Sequence, residues 1–292
     1  MIAAHPPIHE PPERVSLTCA LGLRFFDVAT GLFVGADGTI GRESLGLNAV
    51  AWPIGAPHQK TVGVVTPSGI IAFHGLPGLR EFENSGEADP WASPHRTRDF
   101  QVEVIDRMGR FLPCTFAVSA PEKGLALFAE DGSPPWIEAG AVPLFSAPSR
   151  TLPPGLAIVR MELRDLGTGR EAAWAIVEVN YLSRGSRRTA RGLADDKGRV
   201  LLLFAYPEGQ RRAFNHSPPG NSPGLSQQEW TLEFAVSHEA VEHPEAAADY
   251  GRRLAQLPAI ATRGGSPAEF LNEETLRFGQ ELNLGFIDLV PA

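Results

Sequence analysis

A short apolar run closed on both sides by structure-breaking residues constrains this chain most. Residues Val200 to Tyr206 are continuously apolar, Asp195-Asp196-Lys197-Gly198 precedes them, and Pro207-Glu208-Gly209 follows. Aspartate and glycine favour a tight bend, and proline cannot donate to a central strand ladder. A run of this length, bounded by turn signals, is typical of a buried strand. The stretch therefore predicts a turn, a buried strand and a second turn.

Similar phrases recur in the first half of the chain. Gly69 begins an apolar run that ends at Pro77-Gly78, as Gly198 begins the run that ends at Pro207-Glu208-Gly209. Asp27-x-x-Thr30-Gly31 matches Asp165-x-x-Thr168-Gly169. The segment from Phe100 to Val104 matches the segment from Trp230 to Phe234. The order is kept and the spacing is similar, although identity is low. Two β-domains that share a fold are the prediction.

Breakers and alternation set the expected boundaries. The 30 glycines and 26 prolines among 292 residues favour many turns and short strands. Period-two alternation predicts strands at Val15–Val28, Leu47–Trp52, Phe100–Asp106, Leu156–Leu163, Trp174–Tyr181 and Gln228–Val236. The predicted organisation is a Pro-rich arm at 1–14, a first sandwich at 15–120, a Pro-rich connector at 121–154 and a second sandwich at 155–236.

The last part of the chain, 237–292, has the pattern of a helical segment. Proline at 244 suits a first helical turn, and Ser266-Pro267-Ala268-Glu269 reads as a capping box. A stripe of Leu271, Thr275, Phe278 and Leu282 follows at helical spacing. The end, 284–290, is an apolar tail. It either packs on the second domain or docks on a partner, because a hydrophobic terminus must be covered.

Charge and hydropathy exclude two classes of protein. A net charge of -8 argues against a nucleic-acid binder, which needs a basic surface to neutralise phosphates. No run approaches the ~20 apolar residues of a membrane span, and no signal peptide is visible. A cytoplasmic location is therefore expected. Cys19 and Cys114 lie in strand-like contexts and are expected to be buried free thiols, unless an oxidising compartment joins them.

No catalytic, cofactor-binding or metal-binding set emerges. Gly220-Asn221-Ser222-Pro223-Gly224 matches the hydrolase pattern, but no helix follows and Pro223 lacks the N–H that an oxyanion hole takes there. His238 and His243 are five residues apart, so on a helix they point to different sides. Asp195 and Asp196 could bind a cation, although a lone acidic pair in a turn is usually turn chemistry. The expectation is a protein that is not an enzyme.

Aromatic and apolar side chains in predicted loops and in the tail are the candidate interface. The loop at 79–96 is polar and long, which favours an interface role for its Trp91. An equal alternative is that the Trp91 indole folds back on its own domain. The candidate interface residues are Phe82, Trp91, Phe214, Phe286, Ile287, Leu289 and Val290.

The block from Asp165 to Gly209 resembles the carboxypeptidase regulatory-like, or transthyretin-like, β-sandwich. The signature is an acidic-Gly turn followed by an apolar strand that ends in Pro or Gly, and it covers about a third of the chain. Such domains are non-catalytic scaffolds and binding modules. Together with the recurring phrases, the resemblance predicts a mainly β fold with two Ig-like or transthyretin-like sandwiches, and the residue spacing after 237 adds a C-terminal helical segment.

A longer series of phrases resembles bacterial proteins associated with phage-tail-like contractile injection systems. The phrases are LRFFDVATGLFV, AFHGLPGLREFE, DRMGRFLPCTFAV, VPLFSAPSRTLPPGLAIVRMELRD and GLADDKGRVLLLFAYPEG. The resemblance implies a structural subunit that contacts sheath, tube, baseplate or cap proteins in a particle that is released or associated with the envelope. The alternatives are a carbohydrate-binding module that uses Trp91 or Trp136, and a hydrolase that uses Ser222.

Overall fold

The structure is a computed structural model of the chain. It describes residues 18–35, 45–84, 91, 96–125, 141–208, 227–240, 245–254, 256, 258–262 and 273–291. The N-terminal arm, Trp136, Phe214, Ser222 and His243 lie outside these residues.

Strands dominate the described residues, which confirms the mainly β prediction. The strands of the first half are β1 Leu21–Leu23, β2 Phe25–Asp27, β3 Leu32–Phe33, β4 Leu47–Pro53, β5 Thr61–Val62, β6 Val64–Val65, β7 Ile71–Phe73, β8 Arg98–Asp106, β9 Cys114–Ala120 and β10 Val142–Leu144. Those of the second half are β11 Leu156–Asp165, β12 Arg170–Glu171, β13 Ile176–Ser183, β14 Ser186–Leu193, β15 Arg199–Ala205, β16 Glu229–Ser237, β17 Ala248–Asp249, β18 Pro258–Thr262, β19 Glu273–Arg277 and β20 Glu281–Pro291. Two four-residue helices, α1 Arg80–Glu83 and α2 Tyr250–Arg253, accompany them.

The strands form four sheets. A five-stranded sheet has the order β17-β9-β8-β4-β5. A nine-stranded sheet has the order β12-β11-β20-β18-β16-β13-β14, with β15 on β11 and β19 on β16. Two three-stranded sheets, β1-β7-β6 and β10-β2-β3, complete the described fold.

The apolar run that opens the sequence argument forms β15. Its five middle residues, Val200 to Phe204, are all buried, and the strand pairs antiparallel with β11. Asp195 accepts the backbone N–H of Gly198 at 3.1 Å, which closes the predicted turn before the strand. The structure thus confirms the predicted turn before the strand and the buried strand itself.

The two Asp-x-x-Thr-Gly phrases fold into the same turn. The backbone carbonyls of Asp27 and Asp165 each accept the N–H of the glycine four residues on, at 2.8 Å. Each side chain also accepts the backbone N–H two residues on, from Ala29 at 2.9 Å and from Gly167 at 2.8 Å. Both aspartates are buried. The sequence match therefore corresponds to a real structural match at this local level.

A second pair of turns has the pattern Asp-x-x-Gly-Arg. The Asp106 Oδ2 accepts the backbone N–H of Arg110 at 2.6 Å and its Nε at 3.0 Å. The Asp195 Oδ1 accepts the backbone N–H of Arg199 at 2.8 Å, and Oδ2 accepts its Nε at 2.9 Å. Each turn uses the arginine to neutralise a buried carboxylate, and sequence reasoning had not recognised the pair.

The predicted C-terminal helical segment is wrong for the described residues after 257. Residues 273–277 and 281–291 are strands, and β20 lies between β11 and β18 in the nine-stranded sheet. The short helix α2 is the described helical part. The spacing of Thr275, Phe278 and Leu282 matched a helix by coincidence, whereas Leu276 alone is buried in β19, as one face of a strand requires. The capping box lies outside the described residues.

Two hydrophobic cores occupy the described residues. The second core belongs to the nine-stranded sheet and includes Ile287 and Leu289. The first core packs under the five-stranded sheet, and it also takes in Trp174, Leu193 and Tyr250 from later in the chain. Tyr250 lies against Phe116 with ring centroids 6.5 Å apart, which ties α2 to β9. The division into two sandwiches with the boundaries given above stays a prediction.

Candidate protein-binding face and the crevice between the cores

The outward side of the five-stranded sheet is poor in charge. Burial alternates along β4, β8 and β9, so every second residue points away from the core. These outward residues, together with Val62 of β5, are here called the five-stranded face: Asn48, Val50, Trp52, Val62, Asp99, Gln101, Glu103, Ile105, Thr115, Ala117 and Ser119. Asp99 and Glu103 among them carry charge, Asp249 of β17 lies opposite Thr115 in the same sheet, and Lys60 lies beside Trp52.

Several apolar side chains lie on this face. Val50 lies opposite Val62 across the β4–β5 pair, and Val62 is 60% exposed. The Lys60 ammonium lies 5.0 Å from the centre of the Trp52 ring. Ile105, at the far end of β8, is 42% exposed. Exposed apolar groups with few charges are typical of surfaces that another molecule covers.

The matching side of the nine-stranded sheet differs. Its outward residues include three cross-strand ion pairs: Arg191 with Glu178 at 2.6 Å, Arg187 with Glu233 at 2.5 Å, and Arg277 with Glu229 at 2.9 Å. Paired charges of both signs keep a sheet surface solvated. The five-stranded face is therefore the better candidate for a protein contact.

A crevice of about 310 Å³ lies where the two cores meet. Its walls come from the start of β9, the 147–149 segment, the Asp195 turn and two single residues, and the lining residues are Leu112, Pro113, Ala147, Pro148, Ser149, Trp174, Asp195, Asp196, Arg199 and Ala246. The polar groups sit on the turn, and the remaining walls are mostly apolar. A concave, partly apolar space with a few polar groups is the usual form of a binding site.

Trp174 has an unusual backbone in this crevice. Its φ is 61°, in the left-handed region that bulky side chains avoid. The side chain is buried, and its Nε1 has no hydrogen-bond partner among the described residues. The carbonyl of Trp174 accepts the Gln256 side-chain amide at 2.6 Å.

His238 lies in a charged cluster with Asp165, Arg253 and Glu239. Its Nε2 is 3.6 Å from the Asp165 carboxylate, and neither ring nitrogen has a hydrogen-bond partner within the described chain. Burial lowers the pKa of His238 more than Asp165 raises it. The guanidinium of Arg253 is buried and lies 3.7 Å from Glu239. Burial also lowers the pKa of Arg253.

The predicted loop residues Phe82 and Trp91 contact each other. Phe82 is buried, and Trp91 is half-buried and meets it edge-on with centroids 4.8 Å apart. Both belong to the first core or pack on it. Trp91 is therefore an indole folded back on its own domain, which is the alternative that the sequence left open, and its packing does not favour a carbohydrate platform.

The predicted tail residues divide between core and surface. Ile287 and Leu289 belong to β20 and are buried in the second core of their own sheet. Val290 is half-buried, and Phe286 is 70% exposed. Phe286 is thus the tail residue that a partner can reach. Phe214 lies outside the described residues.

Catalytic and metal-binding candidates gain no support from geometry. Among the described residues, no group of three or more His, Cys, Asp or Glu side chains could hold a metal ion. The Asp195 carboxylate is occupied by the backbone N–H groups of Lys197 and Arg199 and by the Arg199 guanidinium. Within that part of the chain, no helix is long and apolar enough to cross a membrane.

The cysteines are both free thiols. Burial raises the pKa of Cys114 to about 12, and burial also raises the pKa of the half-buried Cys19. A thiol attacks as its thiolate, so these shifts disfavour nucleophilic roles near neutral pH.

Sequence reasoning missed the five-stranded face. The signal was present in β4, where Val50 and Trp52 occupy positions that a half-buried strand normally fills with polar residues. In this strand, apolar residues occupy both inward and outward positions. Strand pairing was needed to bring Val62 and Ile105 onto the same side.

No protein-family model and no curated protein matches the chain. Among solved structures, a mutant of the shaft pilin SpaA from Lactobacillus rhamnosus GG matches with a TM-score of 0.21 and 11% identity, over 95% of this chain and 98% of that one. An adhesin candidate from Bacteroides ovatus matches with a TM-score of 0.18 and 11% identity, over 85% of this chain and 87% of that one. Similarity at this level is weak and carries no argument here.

Proposed function

We propose that this chain is a non-enzymatic assembly protein that binds a neighbouring subunit through the five-stranded face. The observation that carries the proposal is the composition of that face, where Val50, Trp52, Val62 and Ile105 stand exposed or half-exposed on one side of the same sheet. Removing such a group from water favours association, at roughly 25 cal/mol for each Å² of apolar surface buried.

The particle that we propose is a phage-tail-like contractile injection particle. Support for this finer assignment comes from the sequence phrases that resemble proteins of such systems, among them DRMGRFLPCTFAV and GLADDKGRVLLLFAYPEG. In this proposal the neighbours are sheath, tube, baseplate or cap proteins. The chain is made in the bacterial cytoplasm and then joins the particle.

Capture of partners from the protein's own host tests the proposal. The tagged chain, a Val62→Asp variant and a Leu182→Asp variant are compared by quantitative mass spectrometry of the eluates. Val62 and Leu182 are 60% and 66% exposed, so neither change should unfold the protein, and Leu182 lies on the nine-stranded sheet. Sheath, tube, baseplate or cap proteins should accompany the wild type.

The two variants should then behave differently. Val62→Asp places a charge in the proposed contact and should reduce capture by about tenfold or more, which corresponds to about 1.4 kcal/mol. Leu182→Asp should leave capture unchanged. A wild-type eluate without particle proteins, or equal capture by all three proteins, contradicts the proposal.

A further inference from the structure

Three aromatic rings meet at the ends of three strands of the nine-stranded sheet. Tyr206 directly follows β15, Trp230 lies near the start of β16, and Phe278 directly follows β19. The ring centroid of Tyr206 is 5.6 Å from that of Trp230 and 4.7 Å from that of Phe278. Tyr206 and Trp230 pack on the second core, but all three side chains are half-buried and keep part of their rings in contact with water. These three residues are here called the aromatic cluster.

The rings of the aromatic cluster are inclined to one another. The Tyr206 plane is tilted by 40° from that of Trp230 and by 42° from that of Phe278, and the planes of Trp230 and Phe278 differ by 56°. Inclined rings leave clefts between their faces and present no common flat platform. Aromatic-lined grooves are the usual receptors for Pro-rich segments in the polyproline II conformation. The geometry therefore favours a Pro-rich segment as the ligand.

Two hydrogen-bond donors of the aromatic cluster are free to bind such a ligand. The Tyr206 hydroxyl accepts the backbone N–H of Gly279 at 2.9 Å, which leaves its own O–H hydrogen available. The Trp230 indole N–H makes no hydrogen bond within the described part of the chain. A polyproline II segment has no internal hydrogen bonds, so its carbonyl oxygens need donors from a partner or from water. The cluster thus combines apolar clefts with the polar groups that such a segment requires.

The chain itself contains a segment of matching composition. The arm at residues 1–14 carries the pairs Pro6-Pro7 and Pro11-Pro12, which favour the polyproline II conformation. At about 3.1 Å per residue the extended arm spans roughly 40 Å, which is long enough to reach a neighbouring molecule. The described chain that follows the arm enters the first core at Ala20, whereas the aromatic cluster borders the second core. The root of the arm and the cluster therefore belong to different cores, which suits a contact that links one copy to the next.

We infer that the aromatic cluster binds the Pro-rich arm of a second copy of this chain, with proline rings in the clefts and arm carbonyls on the Tyr206 and Trp230 donors. Such a contact joins identical copies through residues outside the five-stranded face, and so goes beyond the proposed function. An arm of one copy on the cluster of the next is a head-to-tail contact, which generates a ring or a filament.

A synthetic peptide of residues 1–14 tests the cluster directly. The receptor is the full chain with the four arm prolines changed to alanine, so that its own arm does not compete. These four positions lie outside the described residues, and their substitution removes no described contact. Binding of the fluorescein-labelled peptide is measured by fluorescence anisotropy, and the Trp230 indole resonance is followed after nitrogen-15 labelling. The control ligand is the same peptide with its four prolines changed to alanine.

Two matched variants of the receptor locate the contact. Tyr206→Phe removes the free O–H and keeps the ring, whereas Tyr181→Phe makes the same change at a half-buried tyrosine that stacks on Phe204. The peptide should bind saturably and shift the Trp230 resonance, and Tyr206→Phe should weaken binding about fivefold, as the loss of one hydrogen bond does. Tyr181→Phe should leave binding unchanged. No saturable binding, an equal response to the alanine peptide, or equal losses in the two variants overturns the inference.

Sedimentation velocity decides whether the bound arm comes from a second copy. The average sedimentation coefficient of the wild type should rise with protein concentration, and that of the four-alanine chain should stay lower at each concentration. A wild type that stays monomeric overturns the inference even if the peptide binds, because the arm would then occupy the cluster of its own chain. Equal association of the two proteins overturns it as well. Neither outcome bears on capture through the five-stranded face, so the proposed function is tested separately.

Discussion

The outward sides of the two large sheets solve the problem of an exposed β surface in opposite ways. On the nine-stranded sheet, outward charges form cross-strand ion pairs such as Arg187 with Glu233, so this surface is stable in contact with water. The five-stranded face exposes Val62 and half-exposes Trp52, and it has no comparable row of cross-strand ion pairs among the described residues. The difference teaches that strand content alone does not locate a contact surface, because both sheets alternate correctly but only the nine-stranded sheet lines its outward side with paired charges.

The first and second halves of the chain share Asp-x-x-Thr-Gly turns but stabilise them differently. Asp27, at the end of β2 in the first half, is held by the Arg150 guanidinium, with contacts of 3.0 and 2.6 Å. Its counterpart Asp165 faces His238 at 3.6 Å, which is too long for a hydrogen bond. Equivalent turns therefore depend on unequal partners, and four predictions test that contrast.

The largest effect should come from Arg150→Met. The change leaves the Asp27 carboxylate buried without its counter-charge, which costs about 3–5 kcal/mol of unfolding free energy. The matched change at the second turn, His238→Leu, should cost about 1 kcal/mol or less, because no well-formed hydrogen bond is lost. Urea denaturation of both variants measures the difference. Equal losses would remove the contrast between the two turns.

A second difference should appear at the glycines of the Asp-x-x-Gly-Arg turns. Gly109 and Gly198 have φ values of 65° and 72°, so alanine at either should cost roughly 1–2 kcal/mol. A Cβ at position 198 also meets the Leu163 carbonyl oxygen at 2.3 Å, whereas at position 109 the nearest atom is 3.7 Å away. Gly198→Ala should therefore lower the thermal midpoint clearly more than Gly109→Ala. A smaller loss for Gly198→Ala contradicts this packing.

Acid should destabilise the second half of the chain through His238. Its pKa is lowered in the fold, chiefly by burial, from the ordinary value of 6.5. The stabilisation from the neutral imidazole is complete above that ordinary pKa and is lost as pH falls through the lowered value. Unfolding free energy measured between pH 7 and pH 5 should decline. The decline should be shallower in His238→Leu, and an identical slope in that variant would exclude His238 as its source.

The smallest effect should come from the paired charges of the nine-stranded sheet. Arg187 and Glu233 are 64% and 51% exposed, so a double-mutant cycle to alanine should give a coupling of about 0.2–1 kcal/mol. Salt at 1 M should reduce that coupling further. A coupling that exceeds the loss caused by Arg150→Met would show that surface pairing, not the buried pair, dominates this comparison.

Local patterns were sufficient for most strands and for the turns. Alternation placed β4, β8 and β11, and aspartate with glycine four residues on placed the turns at 27–31 and 165–169. These features depend on neighbours within a few residues, which the sequence contains directly. The C-terminal strands were different, because the helical spacing of Thr275, Phe278 and Leu282 was as good as the strand alternation.

The sequence by itself determined that this chain is rich in short strands, where its turns fall, and which aspartates close them. Only the tertiary structure decided that β20 pairs with β11 and β18, that Trp174 enters the first core, and that Val62 and Ile105 share one exposed face. The physical reason is the range of the interactions. Turns are decided by hydrogen bonds over four or five residues, whereas sheet neighbours and exposed faces depend on segments that are distant in sequence, in the extreme as far apart as Leu163 and Ile287.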